Sequence, residues 1–267
     1  MDKNSLHLWF AYPDDLLTES LARSCAALLS EEEIARWQKF RFDWHRRESL
    51  TTRALARTAL SYYHPIPPEA WHFRANAYGK PVAEPDCGLR FNLSNASGLV
   101  VCLIAEGAEV GADVEPIKRA GDILNLATEV FSAPELAQLK ALPDTEKPDR
   151  ALSLWTLKEA YIKARGFGLS LPLRRFSFLF GGKEGIRLEV DPAMDSDPGR
   201  WRFRMLDHVG HRIAMVAEGP AERDLQVWES HPLLTPPTRL GATGESWFPL
   251  SSVPFLSELK REPAPVG

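Results

Sequence analysis

An α+β fold is predicted by two features of the sequence. Residues 43–63 and 150–165 carry apolar positions at helical spacing, whereas 91–115 and 174–229 are short β-branched runs broken by Gly and Pro. A third feature suggests duplication. Val101-Cys102-Leu103-Ile104-Ala105-Glu106-Gly107 echoes Ile213-Ala214-Met215-Val216-Ala217-Glu218-Gly219, and each Glu-Gly turn leads into a strand ending on Glu115 or Glu229. Any two hairpins share some of this pattern, so the echo alone leaves both chance and two related α+β halves open. Related halves would leave room for a site between them. Only the first copy carries Asp113-Val114-Glu115, against Leu225-Gln226-Val227-Trp228-Glu229 in the second, which allows one site rather than two.

The elements follow in order. Residues 6–12 read as a first strand closed by Pro13-Asp14-Asp15. Ser30-Glu31-Glu32-Glu33 has the form of a capping box and opens a helix with Ile34, Trp37 and Phe40 at helical spacing. A second helix, 43–63, ends before Pro65, Pro67 and Pro68. Strands are expected at 91–94, 99–105 and 109–115, the middle one apolar enough to be buried on both faces, with Pro116 ending the last. Helices at 122–131 and 133–142 precede the most regular one, 150–165, with Asp149 as N-cap and Gly166 as stop. Further strands are expected at 174–180, 185–190, 200–207, 211–218 and 223–229. The expected division is 1–112, 113–232 and a Pro-rich irregular tail, 233–267.

Composition limits the function classes. At 44% hydrophobic and 25% charged, the 267 residues can build a real core, and a net charge of −4 argues against nucleic-acid binding over the whole surface. Three cysteines, without metal-like spacing, read as reduced; Cys102 sits in an apolar run and reads as an inert buried thiol. No run approaches the ~20 apolar residues of a membrane helix, and Met1-Asp2-Lys3-Asn4-Ser5 has no signal-peptide character. A soluble, cytoplasmic, monomeric protein is expected.

Three clusters bear on chemistry. Asp113 and Glu115, two apart on a strand, share one face, and the small residues Gly111 and Ala112 beside them would leave room for a ligand. Such a pair suits a hard cation such as Mg²⁺, but taken alone it fits a solvated strand edge better. On the 150–165 helix, Trp155, Glu159 and Lys163 stack at i, i+4, with Lys158 alongside. This is either an ordinary amphipathic face or a third carboxylate with two phosphate-neutralising cations. Seven cations between Arg36 and Arg57 form a solvated face or a phosphate site, with Arg46, Arg53 and Arg57 near one side of a helix. Tyr78-Gly79-Lys80-Pro81 adds a turn that presents a lysine. Walker A, GxGxxG, GxSxG and HExxH motifs are absent.

In order along the chain, these blocks resemble the larger, Sfp-type 4′-phosphopantetheinyl transferases. The matching blocks are Tyr78-Gly79-Lys80-Pro81, Phe91-Asn92-Leu93-Ser94, Gly111-Ala112-Asp113-Val114-Glu115 and Trp155-Thr156-Leu157-Lys158-Glu159-Ala160-Tyr161-Ile162-Lys163. A fifth follows, Gly166-Phe167-Gly168-Leu169-Ser170-Leu171-Pro172-Leu173. The resemblance spans about 6–230. It implies a pseudo-dimer of two similar halves with coenzyme A in the cleft between them, and an apo acyl or peptidyl carrier protein as partner. It implies Mg²⁺ held by Asp113, Glu115 and Glu159, and catalytic roles for Asp113, Glu159 and Lys163. Lys158 and Lys163 would neutralise phosphate. Lys80 with the Arg46–Arg57 region, Arg46 and Arg53 in particular, would hold the nucleotide end, and Ser94 and Asn95 would also bind coenzyme A. Asn95 departs from the family pattern FN(I/V)SH, since an amide donates hydrogen bonds without a full charge. A non-catalytic CoA- or nucleotide-binding module and a metal-dependent phosphohydrolase are the competing readings.

Overall fold

The computed structural model describes residues 1–16, 18–181, 185–219, 223–231 and 237–243. Its topology is one unit used twice. The first copy runs β1 (Ser5–Ala11), α1 (Glu19–Ala26), α2 (Glu31–Gln38), α3 (Asp43–Tyr63), β2 (His72–Ala75), β3 (Pro81–Glu84), β4 (Leu89–Ala96) and β5 (Leu99–Glu106). The second runs β6 (Val110–Pro116), α4 (Ala120–Asn125), α5 (Ala127–Val130), α6 (Ala133–Ala141), α7 (Lys147–Arg165), β7 (Phe176–Phe180), β8 (Ile186–Val190), β9 (Trp201–His208) and β10 (His211–Glu218). In each copy a first strand leads through helices to one long helix, then to a two-stranded hairpin, then to an antiparallel pair that packs back beside the first strand. Hydrogen bonding gives the order β1-β5-β4 in one copy and β6-β10-β9 in the other. The echo is therefore a true repeat, and the expected break at 112/113 falls inside β6.

β11 (Asp224–Glu229) crosses back to pair in parallel with β1, and β12 (Thr238–Thr243) adds to it antiparallel. The first sheet thus has the order β12-β11-β1-β5-β4. Part of the segment expected to be irregular is an edge strand, because the open side of β11 offers unpaired backbone groups. The remainder of the expected tail, 244–267, lies outside the described residues, as do 233–236.

The period-two pattern of the strands decides the layering. Leu99, Val101, Leu103 and Ala105 of β5 pack with Val110, Ala112 and Val114 of β6 and Ile213, Met215 and Ala217 of β10, forming a core between the sheets. The alternate β5 residues Val100, Cys102 and Ile104 face the other way, against Leu55, Ala56, Ala59 and Leu60 of α3. Leu154, Leu157, Ala160 and Tyr161 of α7 cover the outer face of the second sheet. The order of layers is α3, sheet, sheet, α7. All three cysteines are free, and burial pushes the Cys25 thiol up to about 11 and raises Cys102 as well, so neither is a nucleophile.

The capping box at Ser30 and Glu33 forms as expected, and Gly166 ends α7 at φ +66°. The start of α7 differs. Glu146 stands at its N-cap position without a side-chain cap hydrogen bond, and Asp149 lies in the first turn, its carboxylate 2.8 Å from Arg212. The expected helix at 122–131 is two short ones, broken at Leu126.

Gly111 carries the packing of α7 on β6. A Cβ there would lie 2.1 Å from the Ala160 carbonyl oxygen and 2.3 Å from the Ala164 nitrogen. The small residue therefore admits a helix backbone, not a ligand. At the far end of α7, buried Asp195 accepts from Tyr161, Arg165, Arg200 and Trp201. Burial works to raise this carboxyl, but the donors, Arg200 first, outweigh it and hold it at about 2.

Gly111→Ala should cost about 3 kcal/mol, read as a lower urea midpoint at unchanged slope, because the obstructing atoms are backbone. Asp195 contributes stability that is fully present above the ~4 of an unfolded aspartate and is lost as pH falls through about 2. Asp195→Asn should therefore flatten the acid limb of the wild-type stability curve below about pH 4.

Candidate active site

β6 separates its two faces strictly. Val110, Ala112 and Val114 enter the core between the sheets, which leaves Gly111, Asp113 and Glu115 toward α7. The register of β6 against β4 is set by side chains rather than by a backbone ladder. Asn92 Oδ1 accepts from the Ala112 N–H at 2.9 Å, and Ser94 Oγ accepts from the Val114 N–H at 3.3 Å. Two polar residues two apart on β4 thus serve two amides two apart on β6, and Asp113 is held between them.

Lys163 on α7 closes the arrangement. Its Nζ donates to Asp113 Oδ1 at 2.6 Å and to Ser94 Oγ at 2.8 Å, while the Ser94 hydroxyl donates to Asp113 Oδ1 at 3.1 Å. Asp113 is only 5% exposed, yet its Oδ2 is buried without a hydrogen-bond partner. Such an oxygen is costly unless something pairs with it. One turn back on the helix, burial and then the charge of Asp113 raise the Glu159 carboxyl above its usual range; Lys163 opposes this and Glu115 adds to it. Glu115 accepts from Trp155 Nε1 at 2.9 Å and from Arg119 Nη1 at 2.5 Å.

Asp113, Glu115, Glu159 and Lys163 therefore come together at one seam where α7, β6 and β4 meet. Three carboxylates outnumber the cations beside them, and all their donor atoms are oxygen, the chemistry of a hard divalent cation. Among the described residues no three such side chains already close into a metal cluster. The fit lies in the orphaned Oδ2 of Asp113 and the raised carboxyl of Glu159, both of which a cation would relieve.

Five expected binding residues sit differently. Lys158 is one residue from Glu159 but a third of a turn around the helix, and it points into the core. Fully buried, its Nζ pairs with Glu135 at 2.8 Å and donates to the carbonyls of Leu173 at 2.7 Å and Phe176 at 2.6 Å. Burial lowers its pKa against the pull of Glu135. It stitches α7 to the chain before β7 and cannot reach a phosphate in the seam. Lys80 donates to Glu109 Oε2 at 2.6 Å, to the Ala164 carbonyl at 3.0 Å and to that of Val110 at 3.2 Å. With Asn76 donating to the Gly166 carbonyl, it ties the β2–β3 turn of one half to α7 of the other. Arg53 and fully buried Arg57 both face Glu33, and Arg46 pairs with Asp43.

Lys80 borders a cleft of about 300 Å³ with Arg90 and Arg165, and within the basic cluster it is Arg47 that borders open space. It lines a cleft of about 330 Å³ with Trp44, Glu48, Pro13, Asp14, Ser97 and Gly98, and its Nε is buried without a partner. Asn95 is exposed two residues before Ser97, at the end of β4. Nearness in sequence placed Arg47 within the basic cluster, but only its neighbours across the fold single it out. Asn92 also escaped notice as a site residue, although the alternation Phe-Asn-Leu-Ser, polar on one face of a buried strand, was the available signal.

Residues 109–216 match the 4′-phosphopantetheinyl transferase superfamily, a span that runs from the start of β6 into β10 and includes every carboxylate of the seam. The chain is 33% identical to the 4′-phosphopantetheinyl transferase HetI of Nostoc sp. over 71% of its own length and 80% of that protein. The chain belongs to this superfamily. It is also similar to the transferase psf-1 of Bacillus pumilus, at 32% identity over 73% of this chain and 76% of the relative. For the transferase Sfp of Bacillus subtilis the figures are 28%, 64% and 75%. The two similar halves described above join at the seam.

Replacing Lys158 with Ala should lower stability by about 3–5 kcal/mol, because Glu135 would be left charged and buried. Lys163→Ala should cost less, because Lys163 is partly exposed and water can enter beside Asp113 once it is removed. Paired thermal melts check both.

Proposed function

We propose that this chain transfers the 4′-phosphopantetheine arm of coenzyme A to a serine hydroxyl of an apo acyl or peptidyl carrier protein, releasing 3′,5′-ADP. The observation that carries the reading is the joining of Asp113, Glu159 and Lys163 at the seam between the halves. Membership of the superfamily supports it.

The serine oxygen bonds to the β-phosphorus of coenzyme A as the bond from that phosphorus to the bridging oxygen breaks, and 3′,5′-ADP departs with the electron pair. Such transfers depend on positioning and charge neutralisation more than on covalent catalysis. Glu159, on the helix face beside Lys163 and Asp113, accepts the serine proton. Lys163, held by Asp113 and Ser94, places a positive charge beside the pyrophosphate. Arg47, in its cleft, suits an anionic end of the nucleotide, with Asn95 donating a neutral hydrogen bond nearby. Asp113 and Glu159, with Glu115 braced by Trp155 and Arg119, would hold Mg²⁺, which supplies Lewis-acid neutralisation of the phosphate oxygens when bound. No described helix is long and apolar enough to cross a membrane. A cytoplasmic monomer fits this reading, since one chain supplies both halves.

Intact-mass spectrometry of an apo carrier incubated with coenzyme A and Mg²⁺ tests the proposal. A gain of one phosphopantetheine arm is expected, abolished by EDTA and by Asp113→Ala, and slowed at least ~100-fold in Glu159→Gln. Coenzyme A binding without any gain on several carriers would favour a binding module. Release of 3′,5′-ADP independent of carrier would favour a phosphohydrolase.

A further inference from the structure

The β9–β10 turn carries a conformational anomaly. Val209 has φ +46°, the one positive value outside glycine among the described residues, and Gly210 follows at +71°. A two-residue turn with both φ positive favours Asn-Gly, and a β-branched residue at the first position is strained. Val209 is also the most exposed large hydrophobic residue described, at 66%. It therefore gains little burial to offset the strain. Strain kept without a packing return is a reason to look for function.

The turn is fixed rather than loose. The Ile117 N–H donates to the Gly210 carbonyl at 2.9 Å, and His211 lies 2.8 Å from the Val209 carbonyl and 2.9 Å from that of Ser97 in the other half. His208, before the turn, bonds the Tyr12 hydroxyl at 2.8 Å. The tip is thus a rigid apolar point held by both halves. It is also close to the seam. Arg212 pairs in register with Glu115 and His211 with Pro116, so Val209 lies three residues beyond Arg212, about 10 Å along the strand. Exposed Lys118 and half-buried Arg119 follow Ile117 beside it, a cationic flank in a chain of net charge −4.

We infer that Val209 is a docking residue for the apo carrier protein, contacting an apolar side chain near the acceptor serine while acidic residues of the carrier face Lys118. The inference rests on the transferase reading. A protein that delivers a serine to Glu159 across an interface of ordinary size covers a patch of roughly 16 Å radius, and the tip falls inside it. Coenzyme A, engaged through the seam and the Arg47 cleft, has no need of an apolar tip on this turn.

Because Asn and Gly accept positive φ, Val209→Asn and Val209→Gly should raise the thermal midpoint while weakening carrier docking. Steady-state kinetics with an apo carrier should show its KM raised about three- to tenfold in both variants. KM for coenzyme A should stay unchanged, and Val209→Ile should keep the wild-type carrier KM. A carrier KM within twofold of wild type in both the Asn and Gly variants overturns the docking role. So does a parallel rise in the KM for coenzyme A, which would indicate a disturbed cleft. Failure of the wild-type protein to modify any carrier would instead sink the transferase reading, and the docking site with it.

Discussion

Two backbone amides of β6, those of Ala112 and Val114, find acceptors not on a neighbouring strand's backbone but on the side chains of Asn92 and Ser94. The rest of the site depends on this exchange. A backbone ladder would fuse β4 and β6 into one continuous sheet. Side-chain acceptors instead satisfy the amides while keeping two sheets, each with its own outer helix, and set the register within one residue. A slip of one residue would turn Asp113 into the apolar core and bring Ala112 or Val114 out to Lys163.

The helix side of the seam is fixed with equal economy of atoms. Gly111 lets the α7 backbone approach β6 closely enough for Lys163 to reach Asp113 at 2.6 Å. Rotation of α7 about its own axis is prevented on its far side by the buried Lys158–Glu135 pair, and at its C-terminal end by Asp195 with Tyr161 and Arg165. Buried ion pairs are poor sources of net stability, but each has a single geometry in which its charges are satisfied. Here that geometry also points Glu159 and Lys163 at the seam. Lys80 performs the corresponding task between the halves, spending its three protons on Glu109, Val110 and Ala164.

Alternation and helical spacing made Asp113, Glu115, Glu159 and Lys163 legible as faces, because those periods are local properties of the chain. The same spacing misassigned Lys158: a lysine beside a functional glutamate looks identical whether its neighbour in space is solvent or a buried carboxylate, and Glu135 is far off in sequence. The basic cluster illustrates the same limit. Arg57 and Arg53 are consumed by Glu33 from α2, whereas Arg47, chemically indistinguishable in the sequence, borders a cleft because Ser97 and Gly98 arrive from another hairpin. The strand at 238–243 was missed because its partner β11 is needed to define it.

By itself, the sequence determined the caps at Ser30 and Gly166, the two-faced strand at 99–105 and the longest helices, since each rests on interactions within a few residues, whereas the echo of 101–107 in 213–219 became a repeat only in the fold. The tertiary structure alone decided which charges are spent on one another and which remain for a ligand. It also decided that Gly111 admits a helix, and that Val209 stands strained at the rim of the seam. Those outcomes depend on which distant groups come within about 3 Å of one another, and charge pairing and close packing operate at that range with no counterpart in the spacing of residues along the chain.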